Sequence, residues 1–326
     1  MVRLARLCPR LYLAVLLLMG SGGLASAESF PSRPVHILVP YAAGGAVDII
    51  ARTLGDVLAK TWGQQPVIDN RPGAGGIIAS QALVQSAPDG YTLILVASGH
   101  PLNQFFYPKL PYDTFKDFTP ITEVGYSPLA LVVAGNSPAA DLRSLLADMR
   151  QKPDAFSYAT SGNGTSAHLA GELLKHMAKV QMTMVPYRGG APAVTAVISG
   201  DVPIAMNPLA EVLSQVQGKT LRALAVTTKA RSSVLPDVPT IAEQGVPDYD
   251  AAVWWGFLGP AGMPADLVDR LNRDLIAALR TPAVVERLRG LGAEPVGSSP
   301  AEFAAYMHAE ADRWEPILKA ANIKMQ

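Results

Sequence analysis

The chain has 326 residues, of which 49% are hydrophobic and 17% charged, so it is long enough for two ordinary domains with a sizeable core. Its 27 basic and 27 acidic residues balance, which excludes binding of nucleic acid or of an anionic membrane through a basic excess. The single cysteine excludes a disulfide framework and a cysteine-based zinc site.

Residues 1–27 have the pattern of a secretory signal peptide. Three arginines precede an apolar run from Leu11 to Met19, and Ala25-Ser26-Ala27 supplies a cleavage site. The run is shorter than the roughly 20 residues of a membrane span, although an uncleaved anchor is the alternative. We therefore expect cleavage after Ala27 and, in a bacterium, a soluble periplasmic protein.

Short apolar strands then alternate with helices. The residue spacing predicts strands over 35–39, 66–68 and 91–96, and helices over 47–62 and 77–84. Such β-α-β repeats predict an α/β fold with a mainly parallel sheet flanked by helices. Ligands of such sheets bind at the carboxyl ends of the strands.

A second series of the same kind follows. It contains predicted strands over 129–133, 156–160, 182–187 and 221–227, and helices over 140–150, 165–179 and 191–198. After Trp254-Trp255-Gly256-Phe257 the chain is expected to be mostly helical, with helices over 264–278, 282–291 and 300–321. Because no long Gly/Ser linker separates the series, we expect two domains packed side by side and crossed by short strands.

The common catalytic motifs are missing from the sequence. It contains no G-x-x-x-x-G-K-[ST], H-E-x-x-H, G-x-S-x-G or S-x-x-K pattern. His168 and His176 share one predicted helix but are eight residues apart, which is not a ligand spacing for adjacent turns. We interpret the five histidines as packing or surface residues. The lack of a nucleophile–base set argues against an enzyme without excluding one.

The first candidate site is a glycine turn between a strand and a helix. It comprises Tyr41, Ala42, Ala43, Gly44 and Gly45. Glycines let a ligand approach the backbone, and the helix that follows presents unpaired N–H groups with a partial positive charge. This arrangement favours an anion, although a plain tight turn is the alternative.

The second candidate site is the turn Ser161-Gly162-Asn163-Gly164-Thr165-Ser166. With Ala167 it fits the dinucleotide pattern G-x-G-x-x-A, but no clear acidic residue ends the next strand and an exported protein seldom meets NAD. We therefore interpret it as an anion-binding turn with additional hydroxyl donors. A helix cap alone is the alternative.

Two further glycine segments give weaker signals. Ser98 and Gly99 end a strand at the expected ligand edge, where a contact and a structural turn are equally favoured. Residues 70–76 are read as a turn, because four of the seven are Pro or Gly.

Asp48 and Arg52 stand four residues apart at the start of a helix. One interpretation is an i,i+4 ion pair in which the helix dipole favours Asp48. The other is that Asp48 orders water in the site or binds a ligand ammonium. A carboxylate beside an anion site is repulsive unless it is paired or bridged, so the sequence leaves both open.

Taken in order, these segments resemble the Bug-type family of periplasmic solute receptors, the binding components of tripartite tricarboxylate transporters. The resemblance runs from about Pro31 to the C-terminus and rests on residues 39–45 with Asp48 and 51–52, and on 70–76, 88–93, 110–113 with 117–118, 164–165 with 168–172, 185–187 with 189 and 191–193, and 235–240.

That family has a two-lobed Venus-flytrap fold and no catalytic activity. The resemblance implies a carboxylate ligand held largely by backbone amides and bridging water, with residues 41–48 in lobe one and 161–166 in lobe two. We expect lobe one to comprise 28–126 and 254–326, and lobe two 127–253. Pro203 stands where the family usually has an acidic residue, which puts any role of that carboxylate in doubt.

Three functions compete on the sequence. The favoured one is a receptor that delivers a small carboxylate to membrane transporter subunits; the second is a receptor that presents its bound form to a membrane sensor kinase. A secreted hydrolase is the enzyme alternative, disfavoured by the missing nucleophile pattern. We expect no cofactor, no metal and no nucleic-acid partner, and we expect a monomer. The sequence does not specify which carboxylate is bound.

Overall fold

The computed structural model describes residues 30–320 apart from 108, 154, 163 and 188, so the predicted signal peptide lies outside the described residues. The strands are β1 His36–Val39, β2 Val67–Asn70, β3 Thr92–Ala97, β4 Phe118–Ala134, β5 Ser157–Thr160, β6 Thr183–Pro186, β7 Ile204–Pro208, β8 Leu221–Val226, β9 Ala252–Pro260 and β10 Glu294–Pro295. The helices are α1 Ala46–Trp62, α2 Ile77–Val84, α3 Asn103–Phe106, α4 Leu142–Gln151, α5 Ser166–Ala178, α6 Gly190–Ser199, α7 Leu209–Gln217, α8 Ala265–Leu279, α9 Pro282–Gly290 and α10 Pro300–Ala320, with a 3₁₀ turn at Ala74–Gly76.

The strands form one sheet with the order β2-β1-β3-β9-β4-β7-β5-β6, and β8 and β10 also pair with β4. β1 is parallel to β2 and β3, and β5 is parallel to β6 and β7. β9 and β4 lie between these groups and run antiparallel to their neighbours. The predicted α/β fold with two mainly parallel strand groups is therefore confirmed, with an antiparallel pair at the centre.

The link between the two groups is longer than the short crossing strands expected. β4 has 17 residues, of which Phe118 to Pro128 pair with β9 and Leu129 to Ala134 pair with β7 and β8. Register shifts near Pro120 and Gly125 let the strand tolerate turn-forming residues that obscure it in the sequence.

The expectation of a mostly helical chain after Trp254-Trp255-Gly256-Phe257 is confirmed, but the strand that contains this tetrapeptide is not predicted by the sequence. Residues 252–260 form β9, and the seven residues from Trp254 to Pro260 are all buried. Because both faces of this strand are covered, the polar–apolar alternation that marks a half-buried strand is missing. The three helices predicted farther on are confirmed as α8, α9 and α10.

The core is divided between the two strand groups and is bridged by the C-terminal helix. One apolar cluster packs α1, α8 and α9 against one face of the first group, with Leu54, Phe257 and Leu275 fully buried. Another cluster surrounds the second group and contains Leu129 together with Trp314 from the end of α10. Phe303 of α10 packs in a further cluster with residues of β1 and β3 in the first group. Helix α10 therefore contacts both groups, and the predicted lobe boundaries stay a prediction.

Candidate functional site

The first glycine turn joins β1 to α1 and leaves backbone donors without partners. Gly44 has a φ of +85°, which favours glycine, and Gly45 precedes the helix without a side chain to cap it. The N–H of Gly45 donates to Ala42 O at 3.4 Å. Within the described residues, the N–H groups of Ala46 and Val47 have no acceptor, as is usual in a first helical turn. The start of α1 therefore offers two donors at the positive end of the helix dipole.

Asp48 forms an ion pair and hydrogen bonds that stabilise this turn. Its carboxylate, 3% exposed, accepts hydrogen bonds from Gly44 N at 2.9 Å and Arg52 Nε at 3.1 Å. Arg52 also donates to Asn70 Oδ1, and Asn70 Nδ2 donates to Tyr41 O, both at 3.1 Å. Burial alone raises the pKa of Asp48, but the hydrogen bonds from Arg52 and Gly44, together with the Arg52 charge and the nearby Asn70 amide, outweigh it and hold the pKa below its ordinary value. The i,i+4 pair considered from the sequence is present.

The second glycine turn joins β5 to α5 and is held by two side chains. Thr165 is the N-cap of α5; its Oγ1 donates to Gly162 O at 2.8 Å and accepts from His168 N at 3.4 Å. The N–H of Gly164 donates to His168 Nδ1 at 3.1 Å, so this ring nitrogen is unprotonated. Burial lowers the pKa of His168, which agrees with a neutral ring.

In this geometry the Thr165 hydroxyl forms its hydrogen bonds within its own loop. The hydroxyl donates to Gly162 O and accepts from His168 N–H, as expected if Thr165 only caps the helix. The backbone N–H groups of Ser166 and Ala167 have no acceptor among the described residues. The donors that α5 offers are therefore main-chain groups, like those of α1.

Ser98 lies next to the start of α5. Ser98 and Ser166 line one small pocket of about 10 Å³, together with Glu310 and Trp314. This volume holds about one water molecule. The carboxyl end of β3 and the start of α5 thus meet across the two strand groups. No residue of 41–48 lines this pocket.

All of the predicted contact residues except Asn163, which lies outside the described residues, occupy strand-to-helix turns or the first turn of a helix: Tyr41, Ala42, Ala43, Gly44, Gly45, Asp48, Ser98, Gly99, Ser161, Gly162, Gly164 and Thr165. The structure brings Ser98 close to α5, whereas no hydrogen bond within the described ranges joins 41–48 to 161–165.

Two supporting residues were not identified from the sequence. Asn70, read as part of a turn, links Arg52 to the main chain of Tyr41. His168, read as a packing or surface residue, holds the N–H of Gly164. Asn70 is distant in sequence from Arg52 and Tyr41, and His168 acts through a ring nitrogen. Residue spacing alone therefore reveals neither role.

The part of the chain that the structure describes contains neither a candidate metal site nor a candidate membrane-spanning helix. No group of three or more His, Cys, Asp or Glu side chains is arranged there to hold a metal ion. None of the helices described combines the length and the apolar character needed to cross a membrane.

Comparison with known proteins identifies the family. The sequence model of the tripartite tricarboxylate transporter family receptor, TctC, matches residues 50–323, so the chain belongs to this family. BugT of Bordetella pertussis is 34% identical to it, covering 97% of this chain and 99% of BugT. The predicted resemblance is thereby confirmed. Members of this family are periplasmic solute-binding receptors and not enzymes.

Two solved structures match nearly the whole chain. Rpa4515 of R. palustris, solved with adipate, is 36% identical, covers 91% of this chain and 100% of its own, and has a TM-score of 0.79. MatC of Rhodopseudomonas palustris, with bound malate, is 33% identical, with coverages of 89% and 100% and a TM-score of 0.74. These matches confirm the periplasmic-binding-protein fold of this chain.

Proposed function

We propose that this chain binds a small carboxylate between its two lobes and delivers it to the membrane subunits of a tripartite tricarboxylate-type transporter. The observation that carries the proposal is the pair of glycine turns, each followed by a helix with free donors. These donors are the N–H groups of Ala46 and Val47 in α1 and of Ser166 and Ala167 in α5. Helix N-termini favour anions through such groups and through the helix dipole.

The comparisons support a carboxylate as the anion. Adipate in Rpa4515 and malate in MatC are both dicarboxylates, and both proteins align with about nine-tenths of this chain. We propose the contact residues already named in the turns around Gly45, Ser98 and Gly164, including Asn163. In this chain the main-chain donors face the ligand, while Asp48 and Thr165 hold their loops.

We propose the lobe boundaries expected from the sequence, with 28–126 and 254–326 in lobe one and 127–253 in lobe two. The central strands β4 and β9 then link the lobes. The small pocket shared by Ser98 and Ser166 supports a cleft between them. A ligand that contacts both lobes favours the closed form, because its affinity for the two forms differs.

Thermal unfolding of the mature protein, residues 28–326, tests the binding. Adipate and malate are compared with adipamide, which keeps the length of adipate but carries no charge. A ligand at about 100 times its Kd stabilises the native state by about 2.7 kcal/mol. Stabilisation by a carboxylate and not by the diamide is expected. Failure of a broad carboxylate panel, or an equal effect of adipamide, contradicts the proposal.

Export, assembly and delivery need separate measurements. We propose cleavage after Ala27, which intact-mass analysis of the periplasmic fraction tests by finding an N-terminus at Glu28. Light scattering tests for a monomer.

For delivery, deleting this receptor should abolish uptake of the bound carboxylate in cells that retain the membrane subunits. Unchanged uptake favours a sensing role instead.

A further inference from the structure

An acidic side chain stands at the carboxyl ends of the second strand group. β5, β6 and β7 are parallel, so their carboxyl ends lie at one edge of the sheet. The second glycine turn follows β5 at this edge, and Glu211 lies in the first turn of α7, directly after β7. Glu211 therefore stands at the same edge as the main-chain donors of α5.

The chain topology opens a crevice between the second glycine turn and Glu211. β5 and β7 are neighbours in the sheet, but the helices that follow them pack on opposite faces. α5 packs in the cluster that contains Tyr158, whereas α7 packs in the cluster that contains the next residue, Ala159. In open α/β sheets, ligands bind outside the carboxyl ends of strands whose connections diverge in this way. The turn and Glu211 therefore border one crevice.

The Glu211 carboxylate is held in place by β7 and by the start of α6. Asn207 Nδ2 donates to Glu211 Oε2 at 2.7 Å, and Asn207 is fully buried in β7. A Cβ added to Gly190, the first residue of α6, would collide with the same carboxylate. Tyr187, which follows β6, has its carbonyl oxygen 3.6 Å from the Cβ position of Gly162. The carboxylate and the second glycine turn therefore contact the same β6–α6 connection.

Glu211 is accessible to a ligand, unlike Asp48. The residue is exposed, although partial burial of its carboxyl end raises the pKa, which the hydrogen bond from Asn207 only partly offsets. Among the described residues Asn207 is its only hydrogen-bond partner, whereas the charge of Asp48 is compensated by Arg52. Glu211 Oε1 is therefore an acceptor that a ligand donor can use. Such a donor replaces hydration that the partly enclosed carboxylate has lost.

A carboxylate in this position discriminates between ligands by their second functional group. A second ligand carboxylate meets like charge and is disfavoured, whereas a ligand ammonium forms a charge-assisted hydrogen bond. A hydroxyl donates to the same oxygen, but as a neutral group it contributes less. The main-chain donors of α1 and α5 attract the anionic end of the ligand. Together these groups favour a ligand with one anionic and one cationic end.

We propose that Glu211 is a specificity-determining residue of the carboxylate site, and that it selects a carboxylate with an ammonium group over a dicarboxylate. The inference rests on the proposed function, because Glu211 acts on a ligand that the two glycine turns hold. The ligand class is then a zwitterionic amino acid without a second carboxylate. Its ammonium group donates to Glu211 Oε1, and its carboxylate accepts from the main-chain N–H groups.

Calorimetry on the mature protein, residues 28–326, tests this selection with ligands of matched length. For chains of three to six carbons, the panel comprises the monocarboxylate, the hydroxy acid, the amino acids with an α- or a terminal ammonium, and the dicarboxylate. The wild type should bind an amino acid more tightly than the dicarboxylate of the same length.

Glu211→Gln removes the charge but keeps the side-chain size and an acceptor for Asn207. It should weaken binding of the preferred amino acid about tenfold or more, the loss of a charged hydrogen bond, and strengthen binding of the dicarboxylate. The monocarboxylate has no group that binds Glu211, and its Kd should change by less than about threefold because a more distant charge is screened.

Gly190→Ala is a second variant that keeps the charge. Its Cβ displaces the flexible end of Glu211, so it should reduce the preference for the amino acid while the apo melting temperature stays close to that of the wild type. Asp201→Asn is the matched control, because it removes an exposed charge between α6 and β7, at the opposite edge of the sheet. It should leave the ranking of the panel unchanged.

The outcomes separate this inference from the proposed function. Carboxylates that bind with the same ranking in the wild type and in Glu211→Gln overturn the role of Glu211 and leave the proposed function intact. A wild type that prefers dicarboxylates, or an equal change in ranking in Asp201→Asn, also overturns it. A panel in which no member binds either protein overturns both.

Discussion

The backbone N–H of Gly44 donates a 2.9 Å hydrogen bond to Asp48 Oδ2, so the carboxylate closes the turn that precedes its own helix. Arg52, one turn further along α1, binds the same carboxylate. The negative charge is thereby compensated within the protein. This explains how an acidic residue can stand beside main-chain donors that favour an anion.

Replacing Asp48 with Asn should loosen this turn. We expect Asp48→Asn to lower the free energy of unfolding by about 1 kcal/mol at pH 7, because a charged hydrogen bond becomes neutral. The pKa of Asp48 is depressed in the folded state, so its stabilisation is present at neutral pH and is lost as the pH falls through and below the ordinary value of 3.8. Urea unfolding should show that the difference in unfolding free energy between the wild type and Asp48→Asn is smaller at pH 3 than at pH 7. Asp56→Asn, on the exposed side of α1, is the control and should change little.

Gly45 is the position where a side chain should block the ligand without harming the fold. Its φ is −77°, and the nearest atom to an added Cβ is Ala42 O at 3.5 Å, an ordinary contact. A valine there should cover the free N–H groups of Ala46 and Val47. We expect Gly45→Val to lose carboxylate binding by calorimetry and to keep the wild-type circular dichroism.

The control for Gly45→Val is Gly290→Val, at the exposed end of α9, where an added Cβ meets open space. It should bind carboxylate normally. Gly44→Val is the contrasting change, because its φ of +85° is strained for any side chain and stability itself should fall. Full affinity in a folded Gly45→Val protein removes this turn from the site.

The helices were predicted well because their apolar spacing and end signals are local. The predicted 77–84 coincides with α2, and α1 differs from its prediction by one residue. The regions 199–220 and 252–260 were not assigned, although α7 carries apolar residues at helical spacing. β7 and β9 are buried on both faces, so no alternating pattern marks them, and their pairing with β3 and β4 depends on distant parts of the chain.

The candidate site was predictable as a set of turns but not as a set of atoms. Glycines between a strand and a helix locate the two loops around Gly45 and Gly164. The sequence did not reveal that the Thr165 hydroxyl bonds Gly162 O, or that Asn70 links Arg52 to Tyr41. These bonds depend on side-chain rotamers and on loop contacts that only the folded chain defines.

Glu123 should make stability decrease as the pH rises. It lies in β4, is 9% exposed, and burial together with the nearby charge of Glu310 raises its pKa from 4.5 to about 7. The folded state therefore holds a proton that the unfolded state releases, and stability is lost between these two values. One pKa unit corresponds to about 1.4 kcal/mol, so the total effect is about 3 kcal/mol.

Glu123→Gln should remove this dependence. We expect the variant to match the wild type at pH 4.5 and to be more stable at pH 8, as measured by urea unfolding across this range. The free energy of unfolding of the variant is compared with that of the wild type at each pH, so that the contribution of His100 cancels. Burial lowers the pKa of His100 to about 3, which gives it the opposite pH dependence. Glu286→Gln, on the exposed face of α9, is the control. Parallel curves for the wild type and Glu123→Gln contradict the assignment.

Thr165→Ala should reduce stability more than ligand affinity. The hydroxyl bonds Gly162 O and His168 N within its own loop, so alanine removes an N-cap and costs about 1 kcal/mol of unfolding free energy. The main-chain donors of Ser166 and Ala167 remain in place. We expect the apo melting temperature to fall, whereas the calorimetric Kd for the bound carboxylate should rise less than about fivefold, through looser ordering of the loop.

Thr195→Ala provides the control for Thr165→Ala. Thr195 lies exposed within α6 and bonds only to Ala191 O of its own helix among the described residues, so alanine should leave stability the same or slightly higher. A Kd for Thr165→Ala raised tenfold or more, together with a lowered apo melting temperature, shows that the hydroxyl reorients to the ligand on binding. The Thr165 hydroxyl then donates to Gly162 O in the empty receptor and to the carboxylate when the lobes close.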